Sequence, residues 1–311
     1  MRIASLLASA TEIVCALGLE DQLVAISHEC DYPREILDRP RVSRPRFDPA
    51  GLSSGEIDAA VRRAVAAHGS VYVLDDEALR AVAPDLILTQ DVCEVCAVPT
   101  SLARRAADIL GSRPTILSLD AHRIEDIFGT IVQVAAAAGV ADRAKGVVTG
   151  LRRRLAAVET GVAAAPRPRV LTLEWLDPAF VPGHWGPEMI ELAGGENLFG
   201  EPAERSRTVS WEDVTGVDPD VLLLAPCGYG LDASRAEADQ HAERLRAIAP
   251  RAVQDGRAFV MDASAYFNRS GPRVVDGVEL IAAALHPDRF PAMDLAGRLE
   301  VWGAEVRPYL S

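Results

Sequence analysis

The sequence predicts an α/β protein of two lobes, each built on a mainly parallel sheet, joined by a single long helix. Three observations lead there. Val140, Ala144, Val147, Val148, Leu151, Leu155, Val158 and Val162 recur at steps of three and four, apart from one adjacent pair, which is the stripe of an amphipathic helix. Short apolar runs alternate with helical patterns on both sides of that stripe, as parallel strands with helical crossovers require. Finally, residues 76–88 parallel residues 211–223. In both, a glutamate (Glu77 or Glu212) stands seven residues before a Pro-Asp turn (Pro84-Asp85 or Pro219-Asp220) that opens an apolar strand. Pro-Asp is common turn chemistry, so the match gains weight from its placement at comparable points of two strand–helix runs.

Taken in order, residues 2–7 read as a buried strand, and Ser9-Ala10-Thr11-Glu12 has the pattern of a capping box opening a helix that stops at Gly18. Residues 23–27 form the next strand. A polar loop follows from His28 to Pro33, and then the basic-aromatic stretch Ser43-Arg44-Pro45-Arg46-Phe47. Ser53-Ser54-Gly55-Glu56 is a second capping box, opening a helix to about Ala67. Beyond it come a strand at 71–74, a short helix at 76–82, a strand at 86–89 and a loop at 90–99 holding Cys93 and Cys96. A helix to Leu110, a strand at 115–117 and a helix at 123–138 complete a first lobe spanning 1–139.

The linking helix is assigned to 140–165, between Gly139 and the closing prolines Pro166 and Pro168, with Arg152, Arg153 and Arg154 largely off its apolar stripe. At 1.5 Å per residue its striped part spans about 33 Å. The second lobe, 166–287, opens with a strand at 169–173 and ends with a strand at 259–261 and a helix at 272–285. A C-terminal extension, 288–311, has no place in this plan.

Composition excludes several classes of function. With 49% apolar and 25% charged residues the chain can build substantial cores. A net charge of −13, from 45 acidic and 32 basic residues, argues against nucleic acid or an anionic membrane as partner. No run of 18 apolar residues occurs, so the chain is not expected to be membrane-embedded. Glu12 interrupts the apolar opening before any signal-peptide core develops. Five cysteines without scaffold spacing suit a reducing compartment. As written, the chain is expected to be cytoplasmic.

Ligands bind at the carboxyl ends of parallel strands. The loops there hold Ser9 and Tyr32 in the first lobe, and Trp175, His184, Trp185, Tyr229, Tyr266 and Arg269 in the second. Five of these are aromatic residues, in a chain with only 4 Trp, 5 Tyr and 7 Phe. Such loops suit a large, flat, partly apolar ligand whose anionic or amide groups meet Arg44 and Arg269. Cys93-x-x-Cys96 is open to three readings: metal ligation with Cys30 and His28, dithiol chemistry, or plain loop thiols. The GxSxG, HExxH, Walker A and GxGxxG patterns are missing, and no enzyme is expected. The rival from another class is a cytosolic metal or redox enzyme using Cys93, Cys96, Cys30 and His28.

The opening Ser5-Leu6-Leu7-Ala8-Ser9-Ala10-Thr11-Glu12, the loop His28 to Pro33, the middle helix, Gly194-Gly195-Glu196-Asn197 and Phe267-Asn268-Arg269-Ser270-Gly271-Pro272-Arg273 together resemble the helix-linked (class III) substrate-binding proteins of ABC importers. That group binds cobalamin, ferric siderophores and haem, and the resemblance is closest to its cobalamin-binding branch. It covers about residues 1–287. The resemblance implies two Rossmann-like lobes, a corrinoid as ligand with ferric siderophore or haem as the alternative, and no required cofactor. It also implies one surface glutamate per lobe docking on permease arginines, at the positions of Glu77 and Glu212. Arg269 matches a cleft arginine of the cobalamin binders, whereas Ala265 stands where such a binder has an aspartate.

Overall fold

A computed structural model describes residues 1–91, 98–108 and 113–303. The chain divides into two compact units, Met1–Arg152 with Ser270–Pro272, and Arg153–Arg269 with Arg273–Ser311.

The first unit contains strands β1 (Ile3–Ser5), β2 (Leu23–Ala25), β3 (Ser43–Pro45), β4 (Tyr72–Leu74), β5 (Leu86–Thr89) and β6 (Thr115–Ser118). Its helices are α1 (Ala8–Ala16), α2 (Ser54–His68), α3 (Asp76–Val82), α4 (Thr100–Asp108) and α5 (Ile124–Ala137). The main sheet runs β2-β1-β5-β6 with every pairing parallel, while β3 and β4 pair antiparallel beside it. Central strands of a parallel sheet are covered on both faces: β1 and β5 are buried along their whole length, with Ser5 and Thr89 at their carboxyl ends, whereas the edge strand β6 is partly exposed.

Ser53 caps α2 as a full capping box with Glu56, and Gly69 closes the helix in the left-handed region at φ 68°. The box expected at Ser9 and Glu12 does not form. Leu7, leaving β1 in extended backbone, is the cap residue of α1, and it makes no side-chain cap. Ser9 therefore sits one position inside the first turn, where its hydroxyl bonds Ser270 at 3.2 Å. The far end of α1 is closed by Arg143, whose Nη1 donates to the carbonyls of Leu17 and Gly18 at 2.9 and 2.8 Å.

The helix α6 (Ala141–Val162) carries the striped segment, and Ala144, Val148, Leu151, Leu155, Val158 and Val162 of the stripe are buried while Val147 is half-buried. Within the arginine run, Arg152 pairs with Glu125 of α5 in the first unit. Arg154 pairs with Asp276 and Glu279 in the second.

The second unit continues with β7 (Arg169–Leu173), β8 (Trp175–Leu176), β9 (Ala179–Val181), α7 (Gly186–Leu192), β10 (Glu196–Asn197), β11 (Arg207–Thr208), α8 (Trp211–Val214) and β12 (Val221–Leu224). It ends with α9 (Leu231–Gln240), α10 (Ala242–Ile248), α11 (Pro250–Gln254), β13 (Ala258–Met261), α12 (Ala263–Tyr266), α13 (Val274–Leu285) and β14 (Leu299–Val301). The main sheet runs β10-β7-β12-β13-β14, parallel except for β14. A small antiparallel sheet, β11-β9-β8, was not foreseen from the sequence. Residues beyond 287, which had no assigned place, supply the edge strand β14 and Trp302. That indole is fully buried in the core with Leu222, Leu224 and Val260, and its N–H donates to Asp239 at 2.8 Å.

The internal match seen in sequence is a structural device used in each unit. Asp85 accepts from the Arg2 amide at 2.8 Å and returns its own N–H to the Arg2 carbonyl at 2.8 Å. Asp220 does the same with Arg169, at 2.9 Å in both directions. The residue before each proline, Ala83 or Asp218, holds a positive φ of 38° or 47°. The Pro-Asp turn therefore sets the register of β5 on β1 and of β12 on β7.

Two outcomes follow. Trp302→Ala removes a fully buried ring and should lower stability by about 3–5 kcal/mol in urea unfolding. The second concerns His286, which is buried with Nε2 3.3 Å from the Gly194 carbonyl. Burial first, and then the charges of Arg257, Arg289 and Arg167, hold its pKa below the usual 6.5 against the opposing pull of the Gly194 carbonyl. The unfolded chain thus binds the extra proton more readily. The contribution is intact above pH 6.5 and is lost as pH falls. Thermal unfolding from pH 7.5 to 5 should show a steeper acid loss for the wild type than for His286→Gln.

Candidate functional site

In the second unit β7, β12 and β13 are adjacent and parallel, so the loops leaving their carboxyl ends lie in one row. Backbone bonds tie the row together. The Cys227 amide donates to the Glu174 carbonyl at 2.9 Å, and the Ser264 amide to the Tyr229 carbonyl at 3.0 Å. Across the first of these links Trp175 meets Tyr229 edge-on, with ring centroids 5.2 Å apart at 63°. The Trp175 indole N–H donates to Asp177 O at 3.0 Å, which fixes the ring. On the Ser264 side of the second link, within the same loop, Arg269, only 8% exposed, donates from Nη2 to Ser264 Oγ at 3.2 Å. Arg273 lies over the Tyr266 ring, 5.5 Å from its centroid. Trp175, Tyr229, Tyr266 and Arg269 thus share one connected strand-end platform. Burial, aided by Glu237, pushes the Tyr229 phenol up to about 12, so it stays a neutral hydrogen-bonding group at physiological pH.

His184 and Trp185 belong to the turn after β9. His184 holds a positive φ of 50°, and its amide and carbonyl bond Glu204 O and Ala203 N at 2.6 and 2.9 Å. The clasp depends on two glycines. A Cβ at Gly183 would stand 2.3 Å from Glu204 O, and one at Gly200 would stand 1.9 Å from Pro182 O. The Trp185 ring is buried, 5.9 Å from the His184 ring, and its indole N–H donates to Phe267 O at 2.7 Å.

In the first unit Tyr32 is exposed on the loop after β2, and Arg44 is exposed on β3. That loop is closed by a residue not marked out in the sequence. Arg41 Nη1 reaches the carbonyls of Ser27, His28 and Cys30 at 3.1, 2.8 and 3.2 Å. His28 shares Nδ1 with Ser43 Oγ at 2.8 Å, packs on Tyr72, and has Nε2 3.1 Å from Glu29. Cys30 is buried with Sγ 3.1 Å from Thr11 Oγ1. Cys93 and Cys96 lie outside the described residues, and among the described residues no group of His, Cys, Asp or Glu is arranged to hold a metal ion.

Glu77 and Glu212 are exposed in the first turns of α3 and α8. The caps below them are firm: Asp75 accepts from the Ala78 amide at 2.9 Å, and Ser210 forms a capping box with Asp213. Both residues lie in the first turn of a helix, where the backbone dipole favours negative charge.

The periplasmic binding protein family model matches residues 3–265. Among similar proteins, a vitamin B12-binding protein of Vibrio cholerae is 27% identical over 286 residues, covering 91% of this chain and 88% of its own. An uncharacterized ABC transporter substrate-binding lipoprotein of Bacillus subtilis is 22% identical, covering 93% and 81%. Two solved structures share the fold. A periplasmic heme binding protein from Pseudomonas aeruginosa has a TM-score of 0.70 at 24% identity, covering 92% of each chain. The periplasmic vitamin B12 binding protein of Vibrio cholerae has 0.66 at 24%, covering 92% of this chain and 96% of its own.

The state of Tyr229 can be read directly. In an alkaline absorbance titration, the wild type minus Tyr229→Phe difference should show one phenol ionising near pH 12. Ionisation near pH 10 would mean that the ring is not enclosed as described.

Proposed function

This chain belongs to the periplasmic binding protein family, and on that premise we propose that it binds a corrinoid of the cobalamin type as the substrate-binding component of an ABC importer. The family consists of binding proteins, so the rival reading as a metal or redox enzyme is set aside. The observation that carries the ligand reading is the connected platform of Trp175, Tyr229, Tyr266 and Arg269 at the strand ends of the second unit. Rings at the edge of such a platform suit a broad apolar face, and a buried guanidinium suits a carbonyl or anionic group at its rim. Cobalamin has both, with a corrin face and a fringe of amides. Also proposed as ligand-contacting residues, each within its own unit, are His184 of the second unit and Ser9, Tyr32 and Arg44 of the first.

Haem is the second reading. It also offers a flat face, with a carboxylate for Arg269, and the neighbour from Pseudomonas aeruginosa supports it. Glu77 and Glu212 are proposed to dock on arginines of a permease, since both stand exposed on corresponding helices of the two units. No helix among the described residues is long and apolar enough to cross a membrane. The cytoplasmic expectation drawn from the opening residues finds no support among the relatives, one of which is a lipoprotein.

Titrating the full chain with cyanocobalamin and with haemin tests the reading. One equivalent of cyanocobalamin should bind with a shifted visible spectrum, and Trp175→Ala and Arg269→Ala should each weaken binding about tenfold or more. Tighter binding of haemin would establish the second reading instead. No spectral change with either probe would refute both.

A further inference from the structure

The loop that carries Tyr266 and Arg269 is held at its own backbone. Its first amide, Asp262 N–H, donates to Arg298 O at 2.8 Å, and the Asp262 carboxylate accepts from the Ala265 amide at 3.0 Å. Two consecutive carbonyls further along are met by other parts of the second unit. Phe267 O accepts the Trp185 indole N–H at 2.7 Å. Tyr266 O lies against α13 at Gly277, where a Cβ would stand 1.9 Å from it. Beside Trp185, Gly186 leaves room for the Phe267 ring, 3.2 Å from where its own Cβ would be.

Gly277 has no local reason to be glycine. It lies within the twelve-residue helix α13, outside the positive-φ positions, where glycine is a poorer helix former than alanine. The close approach of Tyr266 O supplies the reason. Trp185 was expected from sequence to stack on a ligand, but its ring is buried and its N–H is committed to the loop.

Resting on the ligand reading above, the geometry points to Gly277 and Trp185 as positioning residues that set where Tyr266 and Arg269 are presented. They act on affinity through the loop backbone and touch no ligand. Alanine at 277 must push the Tyr266 carbonyl away. Phenylalanine at 185 keeps a ring but strands the Phe267 carbonyl without its donor.

Two measurements on the full chain test this, one of them independent of any ligand. In amide hydrogen exchange, residues 262–269 should exchange about tenfold faster in Gly277→Ala and Trp185→Phe, with α9 unchanged. In titration with cyanocobalamin and haemin, each variant should bind the preferred probe about tenfold more weakly. In a Tyr266→Ala background the added loss from Trp185→Phe should shrink to under about threefold, as coupled residues require. Should Gly277→Ala fail to fold, Trp185→Phe decides the matter. Unchanged loop exchange in folded Trp185→Phe, or full additivity with Tyr266→Ala, overturns the inference. A wild type that binds neither probe refutes the ligand reading, while the exchange result still judges the positioning.

Discussion

Two aspartates, Asp85 and Asp220, anchor this architecture. Each closes a two-way hydrogen-bonded link with the residue that opens the first strand of its unit, Arg2 or Arg169. Parallel strands lack a tight turn to fix their alignment, and a slip of one residue would turn every side chain to the opposite face. The Pro-Asp turn supplies the missing constraint. Proline presets the approach, the preceding residue accepts a positive φ, and the carboxylate catches a backbone amide before the ladder begins. With β12 locked on β7, the loops after both strands emerge at the same level, and the meeting of Trp175 and Tyr229 follows.

The same logic shows how much was legible in the sequence. The glutamate and Pro-Asp pattern was visible twice because its residue types are contiguous, although its aspartates bond the distant Arg2 and Arg169, and the helical stripe from Val140 was visible because burial writes itself at a period of 3.6. The box at Ser53 and the false one at Ser9 carry the same Ser-x-x-Glu pattern. They differ in where the preceding strand lets go of the chain, and that is decided by pairing with β5, far away in sequence. The edge strand β14 is only three residues long and borrows its partner from β13, so no periodicity announces it.

For the candidate site, residue types and loops were readable, but the division of labour among them was not. A tryptophan beside a histidine looks the same in sequence whether its ring meets solvent or its N–H faces inward, and Trp185 proves to be turned inward. Arg41 left no signal because its partners are carbonyls, which every residue possesses. Gly277 left none because the atom that excludes a side chain there belongs to Tyr266, eleven positions earlier. Tertiary constraints on backbone atoms are the part of a site that composition cannot record.

The first unit takes Ser270–Pro272 from late in the chain, and the second seals its core with Trp302. On a ribosome, where the chain emerges from its amino end, the first unit lacks a part until Ser270–Pro272 has been made, and the second until Trp302 has. Nascent chains stalled before Ser270 would expose an unfinished surface at Ser9, and those stalled before Trp302 an open apolar cavity.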